Sequence, residues 1–104
     1  MNGTYIDTFQ KLETLKGAVT DSLEFNHILT KLLGILRDQY QLRLDRYARD
    51  LREYEERFNM DTQTFHDRFG AGELGDSADF FEWDGVYDLH RDLAEKIRLL
   101  ESAL

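Results

Sequence analysis

Any chemistry in this 104-residue chain would have to come from three histidines, 21 acidic side chains, a few hydroxyls and one glycine cluster. His27, His66 and His90 with carboxylates are the raw material of a metal or hydrolytic centre. A helical metal site needs ligands one turn apart so that they converge on one ion, and no His pair stands at i,i+4. His-Glu-x-x-His, paired Glu-x-x-His motifs and the Asp-x-Asp-x-Asp-Gly calcium loop are also missing from the sequence. Ser22, Ser77 and Ser102 lack the Gly-x-Ser-x-Gly turn that presents a nucleophile, and the first two read as helix caps. Gly70, Gly72 and Gly75 precede a helix, as in a phosphate loop. No strand comes before them, no Lys follows, and Glu73, Asp76 and Asp79 would repel the anion. No catalytic, cofactor or metal residues are assigned, and the chain is expected not to be an enzyme.

One run is chemically distinctive in another way. From Asp76 to Asp88, five carboxylates alternate with Phe80, Phe81, Trp83 and Tyr87. Acids near a helix start complement the macrodipole, and aromatics fill cores. The same composition also makes a negative surface with the aromatic anchors typical of interface hot spots. Asp76, Asp79, Phe80, Phe81, Glu82, Trp83 and Tyr87 are therefore the candidate partner-binding residues, and a basic protein is the partner their charge expects.

The elements that must position these residues are helices. Gly and Pro punctuate turns, and the chain has no Pro and 7 Gly, four of them between Gly70 and Gly85. Cys is absent, which excludes disulfides and thiolate chemistry and makes the cytoplasm the default location. No apolar run approaches the ~20 residues of a membrane span, and the start lacks the basic and apolar regions of a signal peptide, so no membrane partner is expected. The net charge of −8 disfavours a nucleic-acid partner, which would require a Lys/Arg surplus. The excess is local. Residues 1–36 sum to −1 and residues 37–57 are balanced, while residues 58–90 sum to −7, with only Arg68 opposing eight acids.

Apolar spacing predicts a single helical domain over 1–104, with helices near 4–19, 22–58, 62–69 and 77–103. Thr4 would cap the first, which carries Ile6, Phe9, Leu12, Leu15 and Val19, with Gly17 weakening it. Asp21 or Ser22 would cap the second, whose stripe runs Phe25, Leu29, Leu32, Leu36, Tyr40, Leu44, Tyr47, Leu51, Tyr54 and Phe58. From Tyr40 onward the steps alternate four and three, the seam of a left-handed supercoil. The intervening Arg46, Arg49, Asp50, Glu53 and Arg57 have i,i+4 spacings that allow weak ion pairs on a solvated face. Asn59 to Asp61 would end this helix, Asp61 would cap the short third, and Gly70 would close it as the residue just past its end. Asp76 or Ser77 would start the last helix, on which Val86, Leu89, Leu93, Ile97, Leu100 and Leu104 form the facing stripe. His66 is expected to be exposed and His90 to edge the core.

The fold class is thus all-α: a long antiparallel helical hairpin with a short intervening helix. Two stripes leave apolar area over once each helix has met one neighbour, so pairing into a dimeric bundle is expected, with Tyr40, Leu44, Tyr47, Leu51, Tyr54 and Phe58 as the seam.

Phe58, Met60, Asp61, Phe65, Phe69, then Gly72-Glu73-Leu74-Gly75-Asp76 and Asp79-Phe80-Phe81-Glu82-Trp83 together resemble a pattern found in a family of small prokaryotic helical proteins. These look like antitoxin-side partners of putative toxins of the TumE type. The resemblance spans Tyr54 to Trp83 and more loosely the residues to Leu104. It implies a protein partner and neutralisation of a small toxin, and no particular site residues. A self-associating coiled-coil adaptor is the alternative. Trp83-Asp84-Gly85 also matches the WxG signature of small helical-hairpin substrates of ESAT-type secretion. There the motif forms the hairpin turn, whereas here it falls inside the last expected helix.

Overall fold

A computed structural model describes residues 3–104, with side chains from Asp7 onward. Four helices follow in order: α1 (Gly3–Ala18), α2 (Ser22–Phe58), α3 (Thr62–Gly70) and α4 (Ala78–Ser102). All regular structure among the described residues is helical, as expected from the spacing. The side chains of Thr4 and Ile6, assigned above to the first helix, lie outside the described residues. No helix is long and apolar enough to cross a membrane among the described residues.

Each boundary has a local cause. Asp21, in an extended conformation, caps α2 by accepting from the Leu23 amide at 2.9 Å. The helix then runs 37 residues, and its rise of about 55 Å sets the 58 Å length of the molecule. It stops where Asn59 turns left-handed (φ 51°), so that the Asn59 and Met60 amides both reach the Glu55 carbonyl. Asp61 caps α3 through the Thr64 amide at 2.8 Å. The Glu55 carboxylate accepts from the Thr62 amide, also at 2.8 Å, joining the end of α2 to the start of α3.

Gly70 does not close α3 as expected. It is the last helical residue, Ala71 follows in a right-handed conformation, and the positive φ values fall at Gly72 (78°) and Gly75 (80°). The chain takes one more turn of hydrogen bonding, from the Ala71 amide to Asp67, before it needs a left-handed residue. Between these glycines Leu74 turns inward onto the core. Ser77 rather than Asp76 caps α4, accepting from the Phe80 amide.

α2 and α4 form the antiparallel hairpin, and α3 fills its closed end. Arg37 reaches Glu101 at 3.5 Å at one extremity of the pair, and Arg57 reaches Asp79 at the other. Arg57 therefore spends its charge across helices, not on Glu53, and no ion pair joins Arg46 to Asp50 or Arg49 to Glu53. Between those points Leu51, Leu93 and Ile97 are buried. The 25 residues of α4 rise only about 37 Å and stop opposite Arg37. The first four turns of α2 extend beyond that point, and α1 does not pack along them.

Candidate functional site

The closed end of the hairpin is built around Trp83 and Phe65, both with 0% of their surface exposed. Their rings stack at 3.8 Å between centroids and 4° between planes. Tyr54 and Phe58 on α2 stack on the same indole at 5.6 and 5.7 Å, and Phe80 meets Phe58 edge-on at 5.1 Å. Aromatic pairs in these geometries contribute about 0.5–1.5 kcal/mol each beyond their area burial, so the cluster adds to the stability of the closed end. The one buried polar demand it creates is met: the indole N–H of Trp83 donates to the Thr62 hydroxyl at 3.1 Å.

The seven candidate partner residues do not share one surface. Trp83 is wholly internal, and Phe80 is half-buried against Phe58, Phe65 and Phe69. Their position corrects the expectation that both anchor a partner: on α4 they fall on the side facing α2 and α3, where the greatest apolar burial is available. Tyr87 is also half-buried, donating to Gln63 at 3.0 Å and lying beside the His66 ring at 4.8 Å. Asp79 and Glu82 face α2, where they meet Arg57 and the Tyr54 hydroxyl. Asp76 is exposed in the loop, and Phe81 is 59% exposed while its ring meets Phe69 edge-on at 5.2 Å.

A shallow groove runs between α2 and α4 past Asp50, Glu53, Tyr54, Arg57 and Val86. Burial, then the hydrogen bond donated to Glu82 and the negative charges of Glu82 and Asp79, raise the Tyr54 hydroxyl above its ordinary value, with Arg57 opposing. At the other end of the cluster, Asp61 lies below the ordinary carboxylate value, first because its oxygen accepts the Thr64 amide and then the Thr64 hydroxyl. Both shifts belong to groups that hold helices in place.

The seam residues Tyr54 and Phe58 cover Trp83, and Leu51 lies in the same buried cluster. Tyr40, Leu44 and Tyr47 are half-buried along the length that α4 spans, with Tyr47 beside Leu93. The chain's own α4 lies along this stretch, as the expected antiparallel hairpin requires.

His66 is half-buried, not exposed, and its Nδ1 lies 2.7 Å from Asp84 Oδ1. The couple ties α3 to α4, and the His66 ring also lies beside Tyr87. No cluster of three or more His, Cys, Asp or Glu side chains able to hold a metal ion occurs among the described residues. Glu55, Thr62 and the His66–Asp84 couple were not singled out from sequence. Each partner lies 7 to 21 residues away, a separation at which no helical periodicity speaks.

No family model matches the chain, and no curated protein or solved structure matches it significantly.

Proposed function

We propose that the protein is a non-catalytic helical binding module that pairs with a second copy of itself and presents the acidic end of its hairpin to a basic protein. The observation that carries this reading is Phe81. It is the one large aromatic of the 76–88 run left mostly in water, on a platform held rigid by the ring stack beneath it. The segment around it supplies exposed Glu73, Asp76 and Glu82, in the third of the chain that sums to −7. An exposed aromatic on a preorganised base gives a partner an anchor at small ordering cost. The surrounding carboxylates speed encounter with a positive surface and reject negative ones. By the resemblance of Gly72 to Trp83, the partner is a small toxin whose basic working surface is covered in the complex, and the setting is the cytoplasm.

Co-expression with the product of the adjacent gene, followed by pull-down and a growth assay, tests this. The neighbour is expected to co-purify and to become less harmful to cells. Phe81→Glu, at a position already in water, should weaken capture while leaving the Trp83 emission unchanged. A neighbour that neither co-purifies nor loses toxicity refutes the antitoxin reading. A second reading, an adaptor whose sole partner is itself, is favoured by the unpaired first turns of α2.

A further inference from the structure

Gly85 stands inside α4 at a place where the fold has no need of a glycine. Its φ is not among the positive ones, and a Cβ added there would meet nothing within 4 Å. An interior glycine weakens a helix relative to alanine, so the chain gives up helix stability here without gaining a close approach of its own backbone. Gly17 and Gly34 are equally open, but the residues one turn to either side of them are polar: Glu13 and Asp21, Thr30 and Asp38. One turn to either side of Gly85 stand Phe81 and Leu89, 59% and 51% exposed. The three form one i, i+4 row of α4, two bulky apolar side chains with a gap between them, over a rise of about 12 Å. Both walls of this notch are held. Phe81 is braced edge-on by Phe69, and Leu89 shares a groove with Tyr47 of α2.

We infer that the notch seats a basic amphipathic helix of the partner, whose apolar ridge packs between Phe81 and Leu89 and whose axis passes closest to α4 at Gly85. This rests on the basic-partner half of the function proposed above and names where on the acidic end that partner docks. Shape selects a helix. Side chains along an i, i+4 row are the ridges of a helix surface, and a gap in such a row is the groove that another helix's ridge enters. With no Cβ at the crossing point, the two backbones approach more closely than larger side chains allow.

Charge selects the sign of that helix. Glu82 and Asp88 flank Gly85 three residues to either side, Asp92 lies three beyond Leu89, and no Lys or Arg occurs between Arg68 and Arg91. Asp88 shares its charge with Arg91 at 3.0 Å. Glu82 accepts from a neutral hydroxyl, that of Tyr54, and so keeps its full charge for a partner. The same carboxylates turn away a second copy, which would bring this acidic stretch against itself.

Titration of the isotope-labelled full chain tests this, with three peptides of about 18 residues, long enough to hold a helix. One carries Leu on one helical face and Lys on the other, one has Glu in place of Lys, and one has the first composition in scrambled order. The Leu/Lys helix is expected to bind, with amide shifts centred on Phe81 to Leu89, and the other two are not. Gly85→Leu fills the notch and should raise the dissociation constant about 10-fold or more. The same change should raise the melting midpoint of the free chain by about 4 °C, because leucine is the better helix former. A glycine with a merely structural role would not give a gain in stability together with a loss of binding. A wild-type chain that does not bind the Leu/Lys helix, or shifts centred elsewhere, overturns the inference, as does a Gly85→Leu chain that binds like wild type. Capture of the product of the adjacent gene separates this from the wider reading. If wild type and Gly85→Leu capture it equally, the docking row is wrong and the basic-partner reading stands. If wild type never captures it, yet binds the Leu/Lys helix and loses it on Gly85→Leu, the adjacent-gene partner is wrong and the docking row stands.

Discussion

Thr62→Val is the sharpest probe of the closed end. The substitution exchanges a hydroxyl for a methyl of nearly the same shape, so packing around residue 62, itself buried, is preserved. What it removes is the acceptor of the Trp83 indole N–H, 3.1 Å away in a site with no surface exposed to water. A buried donor left without a partner costs about 1–3 kcal/mol. Full burial prevents water from replacing the hydroxyl, so about 2 kcal/mol is expected, with a melting midpoint lower by about 8 °C for a domain of this size. Urea unfolding followed by the loss of helical circular dichroism reads it, a probe that survives replacement of Trp83, the chain's single tryptophan. In a Trp83→Phe background the donor is gone, and the same Thr62→Val change should become neutral or mildly favourable. A loss below about 0.5 kcal/mol in the wild-type background, or an equal loss in both, would refute the view that this bond satisfies the core.

Three further outcomes follow from the same geometry. Tyr54 is raised above its unfolded value of 10.0, so its contribution is fully present below that pH and is lost as pH rises through the higher folded value. Tyr54→Phe should therefore flatten the alkaline limb of a stability profile. Asp61 is lowered below 3.8, so its contribution is present above that value and disappears as pH falls through the lower folded one. Asp61→Asn keeps a cap and should flatten the acid limb, as urea midpoints across pH would show. Gly75→Ala forces a left-handed alanine and should destabilise by about 1–2 kcal/mol, whereas Gly70→Ala, with open space around it and an ordinary φ, should be neutral or mildly stabilising in thermal melts.

Helix positions and the α2–α4 hairpin were legible because they follow from local rules: the three-four spacing of Leu44 to Phe58, the Asp61 cap, the turn at Asn59. Which face of α4 looks inward was not. Phe80, Phe81 and Trp83 are adjacent in sequence, and only the position of α3 decides that Trp83 is enclosed while Phe81 remains wet. The stripe at 40–58 was legible as a contact seam, and α4 of the same chain lies along it; periodicity is blind to whether any further helix against it belongs to the same chain. The motif behind the family resemblance is largely explained by folding. Gly72 and Gly75 hold positive φ, Leu74 and Met60 pack on the core, and Phe58, Phe65, Phe69 and Trp83 form the ring stack. That leaves Glu73, Asp76 and Phe81 as the motif positions at the surface without a folding role, while Glu82 is exposed but accepts from the Tyr54 hydroxyl.

The measurement closest to the central claim is sedimentation velocity of the wild-type chain alone and then with the purified product of the adjacent gene, at low and at high salt. The account predicts a dimer alone, a heavier complex on mixing, and a complex weakened by salt because opposite charges assemble it. A single species of monomer mass that the neighbour never shifts would contradict it.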